Sequence, residues 1–281
     1  MTSELSTKVV RAIRLLRTVE RTTEGEIELC YSGGKDSDII LTLAKMAGIK
    51  YRAIYKSTTI DPPGTIKHVL NNGVEIIRPK RTMLQMIETN GLPSRFQRFC
   101  CAELKEYKIL DTAVVGVRRA ESTKRAKLYK EPIHCRIFGK DEHVNQVLPI
   151  LEWSNNDITE FVKEENVLCH PLYYDADGKF CVNRRLGCIG CPLASDNGLS
   201  DFKKYPKMLR NWLKAHSVLM ENHPDSNTAK LFKNVAEVCV TRLFADGRYA
   251  KFLEITSGMF GTADCKAFLE DYFKIDLNFI K

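Results

Sequence analysis

Residues 27–47 read Ile27-Glu28-Leu29-Cys30-Tyr31, then Ser32-Gly33-Gly34-Lys35-Asp36-Ser37, then Asp38-Ile39-Ile40-Leu41-Thr42-Leu43-Ala44-Lys45-Met46-Ala47. The first five predict a strand. Residues 37–47, with Ile39, Ile40, Leu41, Leu43 and Met46 as the apolar face, predict a helix. The glycines between them let the backbone turn tightly and approach a ligand. The start of the following helix presents unbonded N–H groups and the positive end of a dipole. Ser32 and Ser37 add hydroxyl donors, and Lys35 adds a cation. The hexapeptide therefore reads as a pocket for phosphate or pyrophosphate. Its spacing is not G-x-x-x-x-G-K-[ST], so it is not a Walker loop. An ordinary Gly-rich turn with an Asp cap is the plain alternative. The position of the whole hexapeptide at a strand-to-helix junction speaks against that.

Outward from this stretch the rhythm repeats. Residues 4–19 predict a helix before it. Residues 51–55, 74–77 and 112–117 predict strands, and 62–70 and 82–88 helices. Such alternation implies an α/β fold, a parallel sheet with helices on both faces. Residues 121–145 are polar with few regular signals, 147–151 read as a short strand and 155–164 as a helix. Residues 175–198, rich in Gly, Cys and Asp, read as irregular. Amphipathic patterns over 209–220, 229–244 and 265–273 predict a helical C-terminal subdomain. The expected division is a nucleotide-binding domain over 1–199 and helices over 200–281.

The chain has 281 residues, 44% hydrophobic and 28% charged, which excludes collagen, a coiled coil and wholesale disorder. No apolar run reaches the length of a membrane span, and residues 1–8 lack the apolar core of a signal peptide, so a cytoplasmic protein without a membrane partner is expected. The net charge of +8 suits an anionic nucleotide or a nucleic acid. Lys8, Arg11, Arg14, Arg17 and Arg21 recur along one helix, as a backbone-binding ridge or a plain exposed face.

Ten cysteines are many for a reducing compartment, where clustered thiols read as metal or redox sites. Cys100 and Cys101 are adjacent, and Cys188 and Cys191 form C-I-G-C. Four thiolates suffice to close one tetrahedral site. An iron–sulfur cluster, structural zinc and unligated redox thiols all remain open at this point. Cys30 and Cys239 sit in apolar company and read as packing residues. His134 and His170 adjoin Cys135 and Cys169 but lack a chelate partner, so hydrogen-bonded or exposed roles are expected. Thr58, Thr59 and Asp61 follow a strand and read as pocket lining or as a turn, and Trp153 reads as core.

The hexapeptide resembles the S-G-G-x-D-S loop of the ATP pyrophosphatases, the adenine nucleotide α-hydrolase-like group. That resemblance implies that Ser32, Gly33, Gly34, Lys35, Asp36 and Ser37 hold the pyrophosphate portion of ATP. It also implies that Asp36 helps hold Mg²⁺ and that Lys35 and Asp36 are the catalytic pair. Further along stand R-F-C-C-A-E-L-K, G-V-R-R-A-E-S (116–122), L-E-W (151–153), L-Y-Y (172–174) and R-R-L-G-C-I-G-C-P (184–192). In this order they resemble the phosphoadenosine phosphosulfate (PAPS) reductase family over roughly residues 25–195. By that resemblance Cys100, Cys101, Cys188 and Cys191 bind a [4Fe–4S] cluster, with zinc as the alternative. Gly116, Arg118, Glu121 and Ser122 match a nucleotide-side motif, with Arg118 as a phosphate or substrate contact.

Two departures matter. The family's reductases carry a degenerate phosphate loop, whereas this loop is complete, and their E-C-G-L-H motif is absent here. Cys265, the last cysteine, reads as packing or a surface thiol. The complete loop beside cluster-type cysteines resembles the ATP-dependent sulfur-transfer enzymes that act on DNA and tRNA. The leading expectation is an ATP pyrophosphatase and sulfurtransferase. ATP adenylates an acceptor oxygen, with nucleic acid as a candidate acceptor. Sulfur from a donor such as a cysteine desulfurase, carried as persulfide or by the cluster, then displaces AMP. The alternatives are a PAPS or adenylylsulfate reductase, which would prefer those nucleotides to ATP, and a zinc-stabilised nucleic-acid-binding module without turnover.

Overall fold

A computed structural model describes residues 1–138, 142–244 and 264–280. It places strand β1 (Glu28–Tyr31) at the heart of a six-stranded sheet. The other strands are β2 (Arg52–Lys56), β3 (Glu75–Ile77), β4 (Thr112–Val114), β5 (Ile133–Phe138) and β6 (Glu142–Val147). Their order is β3-β2-β1-β4-β6-β5. Leu29 pairs with Ala53 on one side and Val114 on the other, both parallel. Only the β5–β6 pair at the edge is antiparallel. Crossing from β1 outward to β2 and β3, then back to β4, creates a switch point beside β1, where ligands bind in open α/β sheets. Among the described residues no helix is long and apolar enough to cross a membrane.

The chain forms two units. The first comprises Met1–Ser57, Asp61–Pro79 and Leu104–Gly187 and holds the whole sheet. Helix α1 (Ser3–Thr22) buries Leu5, Val9, Ala12, Leu16 and Val19, spaced four and three apart, as an amphipathic helix must. That stripe joins Leu29, Tyr31, Val114 and Val147 of the strands, with Ile39 and Ile40 of α2 (Lys35–Ala47) and Phe161 of α7 (Asn155–Glu164), in one core. Each such fully buried side chain contributes about 1.5–3 kcal/mol. Trp153 lies in this core at 2% exposure. Of the five cations on α1, Lys8 bonds Asp157 at 2.8 Å and Arg17 bonds the Ala47 carbonyl at 2.9 Å. The remaining arginines, Arg11, Arg14 and Arg21, are exposed. The short helices α3 (Thr65–Asn71) and α6 (Thr123–Leu128) complete this unit.

Two elements differ from the sequence reading. Residues 133–138 and 142–147 form the β5–β6 ladder rather than irregular chain with a strand at 147–151. The edge strand β5 alternates exposed and half-buried positions with none buried, so it carries no clean hydrophobic alternation to read. The expected 229–244 helix is two helices, α10 (Asn227–Leu231) and α11 (Val235–Leu243). Asn234 ends the continuity by capping α11, accepting the N–H groups of Ala236 and Glu237.

The second unit gathers Thr58–Ile60, Lys80–Glu103 and Cys188–Lys281. Its helices are α4 (Met83–Asn90), α5 (Phe99–Leu104, ending one residue into the first unit), α8 (Leu199–Lys204), α9 (Pro206–Asn222), α10, α11 and α12 (Cys265–Phe273). Helix α9 packs on α4, α8 and α11, with Trp212 fully buried against Phe202 at 5.2 Å between ring centroids.

Candidate functional site

The phosphate loop has the predicted build. Gly33 takes φ +74°, and a Cβ there would stand 3.2 Å from both Thr65 Cγ2 and Leu186 Cδ2, so glycine is needed on two counts. Ser37 Oγ donates to the Gly34 carbonyl at 2.7 Å, tying the turn to the first turn of α2. Gly116, in the loop after β4, lets that chain pass close behind. A Cβ at Gly116 would lie 3.0 Å from the Asp36 backbone.

Asp36 organises the charges. Its Oδ2 accepts from Lys35 Nζ at 2.9 Å and its Oδ1 from Arg118 Nε at 2.7 Å. Arg118 is only 2% exposed, and its Nη1 also donates to the Trp153 carbonyl and Asn155 Oδ1. Arg118 is thus a buried strut behind Asp36. The guanidinium groups that line the adjoining cavity are Arg125, Arg136 and Arg185. Burial and the nearby Arg185 charge both pull the Arg125 pKa down, and Arg125 pairs with Glu121.

The cavity has a volume of about 390 Å³ and runs from Ser32, Gly34, Lys35 and Asp36 across one face of β1, β2, β4, β5 and β6. Seven Lys and Arg residues line it against four Asp and Glu, so its field favours an anion. At its far end Lys56 Nζ lies 3.4 Å from Glu28 and donates to the Tyr107 carbonyl at 2.7 Å. Gln146, 5% exposed, also lines it, and its Oε1 has no partner among the described residues. A buried amide oxygen of this kind is satisfied when a ligand brings a donor. Cys30 lines the same wall, its thiol donating to Glu28 and its pKa pushed well up by burial.

Behind the loop lies a buried polar network that the sequence did not show. Asp38 accepts from the Tyr31 hydroxyl and meets His68 Nε2 at 2.9 Å. Burial raises the Asp38 pKa against the pull of His68 and Tyr31. Cys169 joins this network, its thiol pushed up by burial and then by Asp38. His170 Nδ1 accepts the Leu172 N–H at 3.1 Å, and His134 packs edge-on to Tyr129. The one signal in the sequence was a carboxylate, Asp38, among the apolar residues of α2.

The four-cysteine set lies wholly in the second unit. Cys100, Cys101, Cys188 and Cys191 are all half-buried. The free thiol of Cys100 is hydrogen-bonded to that of Cys101, and that hydrogen bond, burial and the charges of Cys101, Cys188 and Cys191 all push its pKa upward. The effect places the four sulfurs in one electrostatic neighbourhood. Cys188 Sγ donates to Thr58 Oγ1 at 3.6 Å, and Thr59 Oγ1 accepts the Met83 N–H at 2.9 Å. Thr58 and Thr59 therefore serve this unit and do not line the cavity. Cys239 is fully buried, and Cys265 is half-buried at the start of α12. Among the described residues no three His, Cys, Asp or Glu side chains meet the spacing of a metal-ion site. In kind the set suits a thiolate-held centre, since soft sulfur donors select zinc or iron–sulfur clusters. Arg242, half-buried, lies at the same place: its Nη2 donates to the carbonyl of Gly190, between Cys188 and Cys191, at 2.8 Å.

A glycine-turn phosphate pocket at the switch point of a mostly parallel sheet defines a nucleotide-binding α/β protein. The chain belongs to the phosphoadenosine phosphosulfate reductase domain family, which matches residues 26–194, more than half of it. It is similar to an uncharacterised protein of Methanocaldococcus jannaschii, 28% identical over 202 residues, covering 66% of this chain and 46% of that one. An adenosine 5'-phosphosulfate reductase of Streptomyces coelicolor is 24% identical over 172 residues, covering 58% of this chain and 70% of the relative. A protein of Escherichia phage 186 is 27% identical over 150 residues, covering 48% and 42%. The chain thus spans less than half the length of the archaeal and phage relatives. Among solved structures, a U34-tRNA thiolase from Methanococcus maripaludis with its [4Fe–4S] cluster aligns at TM-score 0.39 and 14% identity, covering 77% of this chain and 78% of that one. An NMN synthetase from Francisella tularensis aligns at TM-score 0.39 and 12% identity, covering 80% and 95%.

Proposed function

We propose that the chain is an ATP pyrophosphatase of the sulfur-transfer type. The observation that carries this is the complete Ser32–Ser37 loop, with Lys35 and Arg118 paired on Asp36, opening into a cationic cavity. Ser32, Gly33, Gly34 and Ser37 cradle the β- and γ-phosphates, and Lys35 neutralises them. Asp36 is the residue that would hold Mg²⁺, through the oxygen now paired with Lys35. Arg118 fixes Asp36 from behind. Arg125 and Arg185 take the charge that develops at the α-phosphate.

The reaction follows from this charge pattern. An acceptor oxygen attacks the α-phosphorus, the bond to the bridging oxygen breaks, and pyrophosphate leaves into the loop. Sulfur at the sulfide level then attacks the activated carbon, and AMP departs with the former acceptor oxygen. The net charge of +8 favours a nucleic-acid acceptor. Cys100, Cys101, Cys188 and Cys191 would hold a [4Fe–4S] cluster, which supplies electron or sulfide chemistry when bound. The test is conversion of ATP to AMP and pyrophosphate, with an unfractionated transfer-RNA pool and sulfide present. Cleavage that depends on the RNA supports the reading. Cleavage to ADP, or none despite tight ATP binding, counts against it.

A further inference from the structure

Arg242 stands at a point where its own side of α11 is apolar. Val235, Cys239 and Leu243 of that helix are buried. The Arg242 guanidinium lies 5.4 Å from the Trp212 ring and 5.9 Å from the Phe202 ring. Its Nε donates to the Pro93 carbonyl at 2.6 Å and its Nη2 to the Gly190 carbonyl at 2.8 Å. Among the described residues no carboxylate pairs with it. Desolvation pulls its pKa down to about 10, and Cys239, Cys191 and Cys100 act in the opposite direction. Arg242 is half-buried, and a cation held partly out of water is stabilised when an anion shares its site.

Gly190 sits inside the Cys188–Cys191 turn. It takes φ +72°, and a Cβ there would stand 2.1 Å from Phe202 Cζ. The turn is thus pressed against Phe202 on one side and held by Arg242 through its carbonyl on the other. Both the charge of Arg242 and its hydrogen bond are directed at the segment that bears two of the four cysteines.

We propose that Arg242 is the built-in counter-charge of the four-cysteine centre: it positions the Cys188–Cys191 turn and raises the reduction potential of a cluster bound there. The inference rests on the reading that these four cysteines hold a cluster. A cluster with four thiolate ligands is anionic, and reduction adds a further negative charge. A fixed cation beside it stabilises the reduced form more than the oxidised form. Arg242 lies outside the family match at 26–194, so the device belongs to the C-terminal helices of this chain.

The test reconstitutes wild type, Arg242→Lys and Arg242→Gln anaerobically with iron and sulfide. Iron and sulfide content and the midpoint potential, followed by absorption and electron paramagnetic resonance, are the readouts. All three proteins should load about four iron per chain. At a fixed potential Arg242→Gln should hold about tenfold less reduced cluster, a midpoint about 59 mV lower for one electron. Arg242→Lys should stay near wild type, because it keeps the charge. An unchanged midpoint in Arg242→Gln overturns the inference. So does a fall as large in Arg242→Lys, or loss of iron in both variants, because hydrogen bonding rather than charge would then be the role of Arg242. A wild-type chain that takes up no iron overturns the cluster reading itself, and the inference falls with it.

Discussion

Around the phosphate loop the charges answer one another within the fold. Lys35 and Arg118 share Asp36, and Glu121 accepts the Arg118 N–H. Around the four cysteines the reverse holds. The thiols oppose one another's ionisation, and the half-buried Arg242 has no carboxylate partner among the described residues. The first site is set before its ligand arrives and needs only an anion in its cavity. On the proposed reading, the second would be balanced by a centre that takes its thiols as thiolates. The difference teaches where each site's stability would come from: the loop's from the folded chain, the cysteine set's from the centre proposed for it.

Asp36→Ala gives the largest expected effect. It strands Lys35 and the buried Arg118 without a counter-ion, and breaking such a pair costs about 3–5 kcal/mol. Urea unfolding should show that loss, and pyrophosphate release should vanish. A stable Asp36→Ala protein would break the view that the loop is held by its own charges.

Gly190→Ala comes next. The methyl group meets the Phe202 ring and forces a left-handed φ on alanine, for a loss of about 3 kcal/mol. The cysteine set should lose iron uptake while ATP binding persists, which calorimetry on the same sample reads. Equal loss of both would show that the two sites are not energetically separate.

His216 supplies a pH signature for the second unit. It is 3% exposed, its Nδ1 accepts the Leu92 N–H at 3.0 Å, and burial lowers its pKa to about 4. Above the ordinary histidine value neither folded nor unfolded chain protonates it. As pH falls from about 6.5 to 4 the unfolded chain takes a proton that the folded one refuses, so stability is lost across that window, by about 3 kcal/mol. His216→Asn keeps an acceptor for Leu92 and should flatten the profile. An unchanged profile would place the titrating group elsewhere.

The smallest effect is expected at Lys8→Ala. Lys8 bridges Glu4 and Asp157 at the partly exposed edge of α1, and such pairs contribute about 0.5 kcal/mol. Thermal unfolding should show a loss of that order, reduced by salt. Weakened nucleic-acid binding instead would mark α1 as a backbone-binding ridge.

The sequence made the centre of the fold legible because parallel strands and their helices carry strong periods. Residues 27–47 form β1, the loop and α2 as read. The β5–β6 edge was not legible, since Ile133, Cys135 and Ile137 alternate with His134, Arg136 and Phe138 without a buried face. The recruitment of 58–60, 80–103 and 188–199 to the helical second unit was hidden too, because long-range packing decides it. At the loop, residue types sufficed to read Ser32–Ser37. They did not separate Arg118, which lies behind Asp36, from Arg125 and Arg185, which line the cavity. Arg242 had a signal of its own, a guanidinium on the apolar stripe of α11.

The most direct measurement of the central claim needs no acceptor. Calorimetric titration of the anaerobically purified chain compares ATP, AMP and adenylylsulfate, with pyrophosphate as competitor. If Ser32–Ser37 hold the pyrophosphate portion of ATP, then ATP binds at least about tenfold more tightly than AMP or adenylylsulfate, a difference of about 1.4 kcal/mol. Pyrophosphate then displaces it. Adenylylsulfate binding more tightly than ATP, or pyrophosphate failing to compete, would contradict the account and return the chain to the reductases of its family.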